Sequence, residues 1–216
     1  MGIPTEGSNP SCSTMKAMVT GHRPGYKLNE REALSGMEEL LLRLWHETED
    51  EVTVITGGAD GVDRLWARTA MRLQTPFHLY VPRGYYKNYK LNGWPDRLIE
   101  AAEEVHWTQP EGVGFQPKFN HERNIQMVDA ADIHVVCSYM APELLIKKDK
   151  KGGTRHCANE ILKRKLDPIW INSLIRRVRI PTDYFVVKTR VEEDGSNQRQ
   201  AIQLGLDLGH QRPPSG

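Results

Sequence analysis

The chain has 216 residues, enough for one substantial domain with a small appendage. Its 29 Lys and Arg against 28 Asp and Glu leave a formal charge of +1, so nothing suggests a surface built to coat a polyanion. Three cysteines, Cys12, Cys137 and Cys157, are too few and too unevenly spaced for a disulfide framework or a zinc site. They fit a reducing, cytoplasmic compartment, and no apolar run approaches the ~20 residues that a membrane helix needs.

In chain order, residues 1–14 are polar, lack an apolar h-region and precede Met15-Lys16, so they read as a disordered leader or an upstream start. Residues 17–20 form a short apolar strand. Gly21-His22-Arg23-Pro24-Gly25 follows at its C-terminal end, either as a ligand loop or as a solvated one. Asn29 is placed to cap a helix whose Leu34, Met37, Leu40, Leu41 and Leu44 fall on one face.

Val52, Val54 and Ile55 then suit a strand covered on both faces. The strand runs through Gly57-Gly58-Ala59-Asp60-Gly61 into a helix with Val62, Leu65, Trp66, Thr69, Ala70 and Leu73 at helical spacing. Gly57, Gly58 and Gly61 permit positive φ and close backbone approach, Asp60 stands at the expected N-cap, and Asp63 lies in the first turn. A helix N-terminus behind a glycine turn suits a phosphate, although a tight connection with nothing bound explains the same residues.

Phe77-His78-Leu79-Tyr80-Val81 is a third strand, closed by Pro82-Arg83-Gly84. The aromatic and basic residues of 85–94 suit either a base-stacking lid or ordinary surface packing. Residues 95–102 read as a short helix, 104–107 as a short strand and 109–117 as a loop. A helix from Phe119 ends at Ala130-Ala131-Asp132, before the buried-type strand Ile133–Cys137. His134 within that strand reads as a satisfied sheet histidine, and Cys137 and Cys157 as packing residues. The basic run 147–151 is a solvated loop or an aid to anion binding, because Gly152-Gly153-Thr154 follows it. A helix through Leu166 and a strand at 168–171 complete the alternation.

Strands alternating with helices predict an α/β fold: a Rossmann-like, doubly wound, mostly parallel sheet at residues 15–172. Ligands in such sheets lie beyond the strand C-termini at the switch point, so the Gly21, Gly57 and Gly153 loops should share one rim. Residues 184–191 and 201–208 are strand-like and flank Asp194-Gly195-Ser196-Asn197. They predict an appended β-hairpin within 173–209, with a loose tail at 210–216.

Taken together, Gly21-His22-Arg23, the 57–63 segment, residues 120–132 and Gly152-Gly153-Thr154 resemble the SLOG superfamily of Rossmann-like nucleotide-binding proteins. The pattern is most similar to its small bacterial and phage YspA/YpsA-like branch, over roughly residues 16–171. That superfamily includes the Lonely Guy phosphoribohydrolases, DNA-processing proteins of the DprA type, and domains thought to sense nucleotide-derived signals. The Lonely Guy helix motif is matched at Arg123 and Met127, with Asn124 at its lysine position. Their Pro-Gly-Gly-x-Gly-Thr-x-x-Glu motif corresponds to Gly152-Gly153-Thr154, with Cys157 at the glutamate's place and Glu160 the nearest downstream acid.

The resemblance implies a nucleotide or nucleotide-derived ligand, held by Gly21, His22, Arg23, Gly57, Gly58, Ala59, Asp60, Asp63, Asn120, Asn124, Gly152, Gly153 and Thr154. Arg123 and Glu160 would be the catalytic pair if the ligand were hydrolysed at its N-glycosidic bond. Loss of the family glutamate favours a sensor or sequestering module over that chemistry. Single-stranded DNA binding of the DprA type is the third reading, and the near-neutral charge opposes it. No cofactor, metal ion or membrane partner is expected, and the resemblance implies a homodimer.

Overall fold

The computed structural model describes residues 14–24, 27–47, 51–83, 94–147 and 152–181. Its strands form around the apolar runs of the sequence: β1 (Thr14–Gly21), β2 (Glu51–Thr56), β3 (Phe77–Val81), β4 (Glu104–Trp107), β5 (Ile133–Cys137), β6 (Ile169–Ile171) and β7 (Val178–Arg179). They join in one sheet in the order β4-β3-β2-β1-β5-β6-β7, parallel throughout except for the β6/β7 pair. The fold is therefore Rossmann-like, with a mostly parallel sheet between helices. All five residues of β3 and of β5 are buried, as strands covered on both faces must be.

Two core clusters, one on each side of the sheet, follow the period-2 alternation of the strands. Ala17, Val19, Val54 and Val135 pack with α1 (Glu30–Glu47), α2 (Val62–Arg72) and Leu98 of α3 (Trp94–Ala101). Met18, Ile55, Tyr80 and Val136 pack instead with α4 (Lys118–Ala130), Leu145 of α5 (Pro142–Leu145) and α6 (Gly153–Lys163). In α1 the predicted stripe is buried at Met37, Leu40, Leu41 and Leu44, and the Asn29 side chain accepts the Glu32 N–H at 3.4 Å. The indole N–H of the fully buried Trp66 donates to the Ala17 carbonyl, tying α2 to the central strand.

Several details differ from the sequence reading. The N-cap of α2 is Gly61 (φ 96°), not Asp60, whose exposed carboxylate pairs with Arg64 at 2.6 Å instead. Gly61 takes the cap because its backbone lies against His22 and Arg23, leaving no room for a side chain. The helix read through Leu166 ends at Lys163, and the short α5 and β7 were not anticipated. β7 continues the sheet beyond residue 172. Of the 1–14 leader only Thr14 is described, and it begins β1; of the possible lid 85–94 only Trp94 is described, and it begins α3. The hairpin strands at 184–191 and 201–208 lie outside the described residues.

The strand order reverses at β1, which has β2 on one side and β5 on the other. The chain winds outward from β1 to β4, crosses back to β5 and continues the other way. This is the switch point where open α/β sheets hold ligands.

Candidate functional site

The C-terminal ends of β1, β2 and β5 bring three glycine-bearing segments together. The Thr154 hydroxyl donates to the Gly21 carbonyl at 2.6 Å, pinning the start of α6 to the end of β1. The Asn124 side-chain amide donates to the Gly153 carbonyl at 3.4 Å. The Arg123 Nη1 donates to the Gly57 carbonyl at 3.1 Å. One turn of α4 thus holds the β2 loop and the α6 loop at once.

The two loops differ in what occupies them. At the start of α2 the space is filled by the protein. A Cβ on Gly57 would lie 2.5 Å from Asp63 Oδ2 and 2.7 Å from Arg123 Cζ, and one on Gly21 would meet Val62 and the Cys137 carbonyl. Gly58 (φ 62°) packs against Leu79. The first helical N–H, that of Val62, donates to the His22 carbonyl at 3.1 Å. The Asp63 carboxyl group takes the Ala59 N–H and its own, so a side chain of the protein occupies the helix start that in sequence suited either a phosphate or a tight turn with nothing bound.

Asp63 is buried, and desolvation pushes its carboxyl above the ordinary range although Arg123 and those amides pull it down. Arg123 is also buried. Its Nε and Nη2 donate to Asn124 Oδ1 at 3.2 and 2.8 Å, and Nη2 lies 3.8 Å from Asp63 Oδ2. The guanidinium is therefore a strut beneath the loops, holding backbone and a buried carboxylate.

At the start of α6 the surface is open among the described residues. Gly152 and Gly153 are exposed, and among the described residues a Cβ on Gly152 would meet nothing within 4 Å and one on Gly153 only Asn124 Nδ2 at 3.9 Å. Among the described residues no side chain caps this helix. Its first-turn N–H groups have no acceptor within the helix and point, with the positive dipole end, toward that opening.

Around it stand His22 and Ser138, joined Nε2 to Oγ at 3.0 Å, and Tyr139, whose ring is 5.4 Å from that of His22. Burial lowers the His22 imidazole below its ordinary value, so the ring is neutral near pH 7. Arg23 is exposed on the same loop. His121 and His156 lie with ring centroids 4.2 Å apart, between α4 and α6. Asn120, one turn before Asn124, has a buried Oδ1 that accepts no hydrogen bond among the described residues.

Sequence reasoning missed Ser138, Tyr139 and His156. Ser138 and Tyr139 had a usable signal, because they directly follow β5 at the switch point. Glu160 is drawn away from the opening: its carboxylate meets Lys163 at 3.0 Å and Arg164 at 3.3 Å, and the Lys163 hydrogen bond is the main cause of its lowered pKa. Cys157 faces the core, where burial pushes its thiol up to about 12. The His134 Nε2–H donates to the Val128 carbonyl at 2.9 Å.

No protein-family model and no curated protein sequence matches the chain. Among solved structures it is similar to DNA processing protein A (DprA) from Streptococcus pneumoniae, with a TM-score of 0.54 and 16% identity. That similarity covers 73% of this chain and 50% of the pneumococcal one. It is similar also to DprA from Helicobacter pylori, a structure describing a single-stranded DNA binding mode. There the TM-score is 0.50 and the identity 16%, over 73% of this chain and 65% of that one. A third similar structure is the structural-genomics target TM1055, with a TM-score of 0.44 and 17% identity over 70% of this chain and 71% of that one. The chain thus spans half the length of the pneumococcal protein, and what it shares at these identities is the fold. That fold is a Rossmann-like arrangement with a mostly parallel sheet.

Proposed function

We propose that the opening at the start of α6 binds the phosphate of a nucleotide or nucleotide-derived small molecule, and that the protein holds this ligand without turning it over. The observation that carries the reading is the contrast between the two helix N-termini on one rim. The first is closed by Asp63, whereas among the described residues the second is uncapped and has space above Gly152 and Gly153. A phosphate there would accept the first-turn N–H groups of α6. His22, Arg23 and Asn120 would contact the rest of the molecule, with Arg123 and Asn124 positioning the loops from below. Cleavage of an N-glycosidic bond needs an acid or base beside the leaving group. Glu160 is engaged by Lys163 and Arg164, and Cys157 is a buried neutral thiol, which supports binding over hydrolysis.

The test is mass spectrometry of a mixed nucleotide pool incubated with the purified chain, on the retained and free fractions, repeated with Gly153→Asp. The added carboxylate has room and repels an anion, so the variant should stay folded and retain at least about tenfold less nucleotide. Free base with ribose phosphate would establish the hydrolase instead. Equal retention by both proteins would remove the α6 seat.

Single-stranded DNA binding draws support from the fold likeness to the two DprA structures. The formal charge of +1 supplies little of the phosphate neutralisation that such binding uses. A steep loss of oligonucleotide affinity between low and physiological salt would favour this reading over the small-molecule one.

A further inference from the structure

At the lateral edge of the sheet, outside the three glycine segments of the rim, His78 of β3 lies beside Glu104 and His106 of the edge strand β4. The parallel register pairs His78 with Glu104 and Tyr80 with His106, so all four side chains share one face of the sheet. One carboxylate oxygen, Glu104 Oε2, lies 3.2 Å from His78 Nδ1 and 2.9 Å from His106 Nε2, and the three atoms fall within 4.8 Å of one another. Both nitrogens are shielded from solvent, yet neither makes a hydrogen bond of acceptable geometry among the described residues. Two ring nitrogens that approach an oxygen without aiming at it have a natural common target in the space between the three atoms.

We propose that His78, Glu104 and His106 form a binding site for a divalent transition-metal ion of the zinc class, which clamps the edge strand β4 to the sheet. Zinc takes imidazole nitrogen and carboxylate oxygen at about 2.0–2.2 Å, and tetrahedral ligands then stand about 3.3 Å apart. The Glu104 separations already approach that spacing, so small rotamer changes complete the site. The surroundings supply the support that metal-binding histidines use. Glu103 Oε2 lies 3.5 Å from His78 Nε2, placing a carboxylate behind the nitrogen that would not bind metal. The Tyr80 ring stacks on His106 at 4.2 Å with an 18° interplanar angle and fixes its plane. Lys16 also faces His78, but two carboxylates outweigh it. The fourth position opens toward solvent, since the Glu104 side chain is 58% exposed. Three protein ligands with one open position can exchange metal with solution.

The test is titration of the full chain, stripped with a chelator, with zinc and with cobalt(II), following heat of binding and visible absorption. The expected result is one equivalent of metal, a tetrahedral cobalt spectrum without a thiolate charge-transfer band, and a higher melting temperature. Glu104→Gln and His106→Gln should each weaken binding by at least about tenfold, and Glu103→Gln by about tenfold through the orientation of His78. The exposed Glu104 makes its variant safe for folding, which circular dichroism of the metal-free protein verifies. Absence of metal uptake by the parent chain would overturn the site, as would uptake by Glu104→Gln and His106→Gln equal to that of the parent.

Discussion

The start of α2 and the start of α6 look alike in sequence, each a pair of glycines leading into a helix, and they do opposite things. The α2 loop is closed by its own protein, and its glycines are small because Arg123, Asp63, Leu79, His22 and Arg23 press against them. The α6 loop has glycines with almost nothing over them among the described residues. A glycine therefore marks close approach without naming what approaches. Only the surroundings distinguish an internal strut from a seat for a ligand.

Substitutions can break this contrast or sharpen it. The largest effect belongs to Arg123→Ala, which strips the buried Asp63 of its charge partner and the Gly57 carbonyl of its donor. Removing one member of a buried pair costs about 3–5 kcal/mol, so chemical denaturation should show a much less stable protein. Retained stability would mean that the α2 loop is not held closed by this strut. Thr154→Val removes the hydroxyl that anchors α6 to the Gly21 carbonyl, and should cost about 1 kcal/mol while lowering ligand affinity. Gly152→Ala is the opposite control. Its Cβ meets nothing among the described residues, and the unfolding free energy should stay within about 0.5 kcal/mol of the parent's. A larger loss would show the α6 opening to be filled.

A graded effect should accompany pH. Desolvation lowers the His22, His78, His134 and His156 imidazoles, so the folded chain resists protons that the unfolded chain accepts near pH 6.5. Their contribution is complete above that value, and stability should fall as the pH drops below it toward the lower folded values. Urea midpoints measured between pH 7.5 and 5 would record this. A flat profile would show these imidazoles to titrate alike in both states.

Much of the fold was legible because each long strand is a compact apolar run and each long helix keeps a stripe at helical spacing. β7 was not, since two residues, Val178 and Arg179, carry no periodicity. At the rim, the sequence located the loops but misread Asp60 as the cap of α2. The carboxylate at that helix start belongs to Asp63, one turn inside, and only the packing of Gly61 against His22 decides between them. The role of Arg123 stayed hidden for a similar reason, because its partners Gly57 and Asp63 come from a different βα unit. The His78, Glu104 and His106 cluster has no motif at all, since parallel pairing of two strands creates it.

The reversal of strand order at β1 also sets a sequence of events in time. The strands β1 to β4 each pair with a neighbour in the chain, so modest loop closures build that half of the sheet. The other side of β1 must wait for β5; the Lys16 N–H and the Asp132 carboxylate that meet beside this seam are 116 residues apart. While the chain emerges from the ribosome, that side of β1 is an unpaired edge, open to wrong partners. The rim lies on the same seam, with Gly21 on one side and Ser138 on the other. Closing the longest-range pairing of the sheet and assembling the rim proposed to seat a ligand are therefore a single event, and a chain with that rim formed has passed its slowest topological step.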